Sequence, residues 1–238
     1  MLFRKNTNSQ GVYGDFEAMQ NGGLDDLHAI ATIDYRYELV RKGIHLSSLS
    51  IPIIYYFMDK KLALDIILPI TAAFVIVDLA RYYIPGVSAW FYKWFGWLLR
   101  HREKDVVLKR LNGASTVLIA ASICIFLFPK IITINAILIL IISDTTSALV
   151  GRRWGRHRFL SKSLEGSLSF LVSAILVVLI APKVDYNIME YVIGLIAAMV
   201  GTIIEALSLK LDDNLTIPIG VGIVLWALYK LFLPELVL

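Results

Sequence analysis

Seven apolar runs of near-membrane length, most of them joined by short connections, constrain this chain more than any other feature. They lie at about 44 to 59, 62 to 84, 113 to 129, 131 to 150, 164 to 182, 188 to 209 and 216 to 236. A bilayer's hydrocarbon core takes about 20 apolar residues per spanning helix, and at that depth only helices and closed barrels satisfy their own backbone polar groups. The runs are unbroken rather than alternating, so they predict an all-α polytopic membrane protein of about seven transmembrane helices. Composition agrees: 58% of the 238 residues are hydrophobic and 18% charged, and the mean hydropathy of +0.70 lies outside the soluble range.

The remaining stretches divide the chain further. Residues 1 to 33 are polar, without an apolar core, and are expected to form a mobile or surface-lying tail ahead of a single transmembrane catalytic domain at 34 to 238. The segment 86 to 112 carries Trp90, Trp94 and Trp97 ahead of a basic cluster and reads as an interfacial amphipathic helix, because indole rings favour the headgroup level. Lone Cys124 sits in an apolar run and excludes an intramolecular disulfide framework. A pI near 9.1 invites a nucleic-acid reading, but the basic residues flank apolar runs, so orientation explains them and no nucleic-acid partner is expected.

Lys and Arg collect before the first run and in the even-numbered connections, leaving Lys60, Lys61, Lys130, Lys183 and Lys230 on the other side. The positive-inside rule then puts the N-terminus in the cytoplasm and, with seven spans, the C-terminus on the opposite side. Costly polar groups fall on that cytoplasmic side. Glu38, Lys42 and His45 share one helical face at the entry to the first run. Asp78 and Asn112 flank the second connection, Asp144 and Glu165 the fourth, and Glu205, Asp212, Asp213 and Asn214 the sixth. Ionisable groups at membrane depth need pairing, an ion or a wet cavity, so several at one level predict a shared site. Hard oxygen ligands of this kind suit Mg²⁺. The basic loop from Gly151 to Lys162 is, by itself, accounted for by topology, and Asp144 or Glu165 by itself by an ion pair. The DDNLTIP run at 212 to 218 reads as irregular backbone lining a cavity.

Four blocks, ELVRKGIH at 38 to 45, NGAS at 112 to 115, DTTSALVGRRWG at 144 to 155 with KSLEGS at 162 to 167, and EALSLKLDDNLTIP at 205 to 218, together resemble the dolichol kinase, phytol kinase and CTP-dependent diacylglycerol kinase family. The central block is also similar to CDP-diacylglycerol synthases, whose Asp-Arg-x-Asp signature has no counterpart here. The resemblance implies transfer of the γ-phosphate of CTP to a lipid alcohol such as a polyprenol, a phytol-like isoprenoid alcohol or diacylglycerol. It assigns Asp144, Glu165, Asp212 and Asp213 to Mg²⁺ and gives Asp144, Glu205 and Asp212 the catalytic roles, with Glu205 or Asp212 as base. Gly151, Arg152, Arg153, Gly155 and Lys162 would hold nucleotide phosphates, with Glu38, Lys42 and His45 completing the wall near the nucleotide and Asn112 counted among the nucleotide-binding residues. A phosphatidate cytidylyltransferase and an ion or lipid transporter are the alternatives. The residues fix neither the particular alcohol nor an oligomeric state.

Overall fold

A computed structural model describes residues 38–97, Leu99, 109–207 and 212–236. The chain divides into two compact units, Met1–Val40 and Arg41–Leu238. The first contributes only the helical residues 38–40 to the described set. The expected tail at 1–33 lies outside that set, as does most of the basic cluster before residue 109.

The second unit is a helical bundle: α1 (residues 41–47), α2 (Ser50–Tyr56), α3 (Lys60–Tyr83), α4 (Pro85–Phe95), α5 (Gly113–Leu127), α6 (Lys130–Trp154), α7 (Leu164–Ile180), α8 (Ile188–Leu207) and α9 (Asp213–Phe232). Between α6 and α7, β1 (Arg158–Phe159) pairs antiparallel with β2 (Lys162–Ser163). Among the described residues four helices, α3, α6, α8 and α9, are long and apolar enough to cross a membrane; α5 and α7 are shorter apolar helices. The first expected span is split. Pro52 has no N–H for the carbonyl of Ser48 and its ring crowds that carbonyl, and the chain turns at Ser48 and Leu49 between α1 and α2.

Helix ends follow local chemistry. The Asp59 side chain accepts from Leu62 N at 2.8 Å to start α3, and Asn112 accepts from Ala114 N and Ser115 N to start α5. Ile84 is extended because Pro85 follows it, which separates α3 from α4. α4 falls within the expected interfacial segment, with Trp90 and Trp94 exposed, and residues 100–108 of that expected helix lie outside the described set. Two boundaries differ from the sequence reading. Nothing breaks the helix before Gly155, so Gly151, Arg152 and Arg153 belong to the last turn of α6 rather than to a loop. Asp212 caps α9, accepting from Asn214 N at 2.9 Å, so DDNLTIP is helical from Asp213 onward. Acidic residues at a helix start are favoured by its dipole.

α6 is the axis of the bundle: 72% of its most apolar stretch is buried, against 22% in α3. It packs on α7, α9, α2 and α5, with α8 between α7 and α9, and α3 packing on α5 and α4. Ile132, Ala136, Ile137, Ile139 and Ile141 of α6 are fully enclosed. At the end remote from Asp144, buried Glu190 of α8 accepts from the backbone of Val184, Asp185 and Asn187 and from Tyr229 Oη. Lys183 donates to the last carbonyls of α7. These charges are committed to closing the α7 to α8 turn.

Close packing of α9 on the core depends on Gly222, where an added Cβ would collide with the buried Phe128 ring. Gly222→Ala is therefore expected to destabilise the fold by about 1–3 kcal/mol, read as a lowered midpoint of thermal unfolding in detergent.

Candidate active site

Two lysine-centred clusters form where α1, α6, α8 and the start of α9 meet. In the first, Lys42 Nζ of α1 donates to the Asp144 carboxylate and, at 3.2 Å, to the Asp144 carbonyl oxygen. His45 Nε2, one turn further along α1, lies 3.9 Å from the same carboxylate. Both partners of the lysine pair are nearly enclosed. A buried charge pair of this kind costs about 3–5 kcal/mol to break by removing one member.

In the second cluster Lys162 Nζ of β2 donates to Glu205 Oε1 of α8 and to Asp213 Oδ2 of α9, each at 2.8 Å. Ser147 Oγ donates to Glu205 Oε1 at 2.7 Å and Ser167 Oγ to Glu205 Oε2 at 3.3 Å. Ser147 lies three residues after Asp144, on the same face of α6, so one helix serves both clusters.

The remaining sequence-derived candidates divide sharply. Glu165 joins neither cluster; its carboxylate accepts from Arg156 N, His157 N and His157 Nδ1 and so holds the start of the β1–β2 turn. Asp212 is the cap of α9. Asn112 has its side-chain oxygen committed to the start of α5, and its own N–H goes to Asp78 Oδ2 at 2.7 Å. Arg152 and Arg153 are exposed at the end of α6. The glycines have a packing reason. A Cβ on Gly151 would meet Ser163 Oγ at 3.0 Å, and one on Gly166 would meet the Ser147 carbonyl at 3.1 Å and Gly151 Cα at 3.2 Å. α6 and α7 thus touch backbone to backbone where Lys162 enters.

Ser147, Ser167 and Thr116 went unnoticed in the sequence. The available signal is a hydroxyl residue one turn from a membrane-depth acid, as Ser147 is from Asp144. Thr116 Oγ1 accepts from buried Asn214 Nδ2 at 3.1 Å and ties α5 to α9.

Among the described residues no three His, Cys, Asp or Glu side chains form a ready metal cage. The donor chemistry still suits Mg²⁺, which takes one or two carboxylates and fills its other positions with phosphate and water. Asp144 on α6 and Asp213 on α9 are oxygen donors of that kind, each held by a lysine.

Burial alone pulls the Lys162 ammonium down, but the facing Asp213 and Glu205 carboxylates more than offset this and leave it raised above the ordinary 10.5. A raised lysine contributes its full stability below the unfolded value and loses it as pH rises through the folded one. Lys162→Met is expected to lower the unfolding midpoint at neutral pH, and its gap from wild type to close only above pH 10.5, as unfolding followed over stepped pH will show.

No protein-family model matches the chain, and no solved structure does. It is 31% identical over 192 residues to a protein of unassigned function from Rickettsia prowazekii (strain Madrid E), covering 79% of this chain and 93% of that one. A phytol kinase from Synechocystis is 34% identical over 97 residues, 38% of this chain and 42% of the relative. CTP-dependent diacylglycerol kinase 1 of Schizosaccharomyces pombe is 30% identical over 156 residues, 60% of this chain and 70% of the relative. With that identity over more than two thirds of the fission-yeast enzyme, the chain belongs to the membrane lipid kinase family that includes it.

Proposed function

We propose that the protein transfers the γ-phosphate of CTP to the hydroxyl of a membrane lipid alcohol at the cytoplasmic face. Diacylglycerol, a phytol-like isoprenoid alcohol and a polyprenol or dolichol are the candidate acceptors. The observation that carries this reading is the meeting of two lysines and three carboxylates from separate elements at one end of the bundle. Phosphoryl transfer needs little covalent help from a protein; it needs positioning and positive charge around the phosphates. The CTP named for the fission-yeast relative supports the choice of donor.

Within this reading Lys162 is a fixed cation. Two of its three N–H groups meet Glu205 and Asp213, which leaves the third for a phosphate oxygen. Glu205 is enclosed by Lys162, Ser147 and Ser167, so it acts through the lysine it holds. Lys42 sits against Asp144 in the same manner and adds a second cation. Arg152 and Arg153 at the exposed end of α6 present further charge to the outer phosphates. Asp144 and Asp213 would hold Mg²⁺, which when bound neutralises charge on the transferring phosphates. The acceptor oxygen forms the new P–O bond to the γ-phosphorus as the bond from that phosphorus to the β–γ bridging oxygen breaks, and the hydroxyl proton leaves to a phosphate oxygen or to water, giving CDP and a lipid monophosphate.

CTP labelled separately at the α and γ phosphorus, supplied with Mg²⁺ and a panel of lipid alcohols, tests the reaction. The γ label is expected in the lipid and the α label in CDP. Lipid carrying the α label would overturn the kinase reading in favour of cytidylyl transfer, and uptake of anions or lipid into vesicles without any turnover would favour a transporter.

Asp144→Asn and Lys162→Ala are each expected to lower turnover at least about 100-fold while the purified protein keeps its elution volume and helical circular dichroism. Near wild-type turnover in either variant counts against this placement of the nucleotide. Chelation with EDTA should abolish turnover and added Mg²⁺ restore it.

A further inference from the structure

A cavity of about 520 Å³ lies among α1, α3, α4, α5 and α9, within the size range of small-molecule sites. Its two sides differ in chemistry. α3, α4 and α5 contribute apolar groups, among them Ala73, Val77, Phe91 and Val117, while α1 and α9 contribute Lys42, His45 and Asn214. Lys42 and His45 are the two residues that meet Asp144. The cavity therefore adjoins the charged clusters while offering a largely hydrocarbon interior.

The apolar side is built as one piece. Buried Arg81 pairs with Asp78, Nε to Oδ1 at 2.9 Å, and its guanidinium lies 4.6 Å from the Tyr82 ring centre and 4.9 Å from that of Phe91. Arg81 Nη2 also donates to the Arg110 carbonyl at 2.9 Å, while Asp78 receives the N–H of Asn112. One ion pair on α3 thus fixes both the α4 wall, through Phe91, and the start of the α5 wall, through Asn112.

We propose that this cavity holds the hydrocarbon of the acceptor alcohol, its hydroxyl against Lys42, His45 and Asn214, and that α4, held by Arg81, sets the chain length the enzyme accepts. This rests on the lipid kinase reading above. An amphiphile is the occupant the lining selects: the apolar side has nothing to offer a nucleotide, and the polar side can meet a hydroxyl, which a purely apolar molecule lacks. A hydrocarbon entering between helices reaches the phosphate site without leaving the membrane.

Ala73→Trp tests the proposal by filling the cavity from α3, outside both charged clusters. The full chain in nanodiscs is assayed with CTP, Mg²⁺ and alcohols of increasing chain length. For the longest acceptors KM should rise at least about tenfold, with the KM for CTP unchanged and the shortest acceptor still processed. An unchanged acceptor profile overturns the proposal. A long-chain alcohol with a diazirine in its tail provides a readout independent of turnover. It should label residues 73–77 and 91–95 in wild type, in competition with excess alcohol but not with phosphatidylcholine. Equal competition by phosphatidylcholine would show a groove for bulk lipid and would sink the proposal. Selective labelling in a protein that phosphorylates no alcohol would uphold the cavity as an alcohol site and reject the kinase reading, so the two failures are distinguishable.

Discussion

Charge at membrane depth must be neutralised where it stands, and the whole arrangement of this bundle follows from how that is done. Lys42 with Asp144, and Lys162 with Glu205 and Asp213, are pairs whose members come from different elements. None can be satisfied until α1, α6, α8 and α9 have converged. Hydrophobic packing brings the helices together, but many slightly rotated bundles would bury similar area. The pairs select among them, because a rotated helix would strand a carboxylate or an ammonium without its partner.

The same constraint explains the treatment of the opposite end. Glu190 is as enclosed as Glu205, yet it receives backbone N–H groups and a phenol, with Lys183 used separately on the end of α7. Backbone donors leave little for a ligand to exploit. Lysine donors that retain an N–H, beside acids from other helices, are what the proposed exchange of partners with a phosphate would need. The two ends of the bundle therefore differ in the kind of donor their acids meet.

Much of this was legible in the sequence, and its failures have physical causes. The apolar run at 62 to 84 became α3 and that at 188 to 209 became α8 within a few residues, because hydropathy alone decides such helices. The run at 44 to 59 misled because Pro52 and the turn at Ser48 interrupt it. DDNLTIP misled because an Asp ahead of an apolar run is as good a helix start as a loop, and Pro218 sits inside α9. Asp144, Glu205 and Asp213 stand out as polar residues expected at one membrane face and Lys162 as a phosphate contact implied by the resemblance; the fold joins Lys162, Glu205 and Asp213, with Asp144 one turn along α6 from the Ser147 that meets Glu205. The pairing was not legible: sequence gives the level of Glu165 in the membrane but not that its carboxylate turns to Arg156 and His157.

That grip of Glu165 has a further consequence for the hairpin it holds. With its first residues tied to the head of α7, and Ser161 N and Oγ donating to the Ala206 carbonyl, the turn between α6 and α7 is anchored at both shoulders. Its basic residues stand on a braced shelf rather than a free loop. On the kinase reading proposed above, a polyphosphate would meet charge already set in place, so less of its binding energy would go to ordering the receiver.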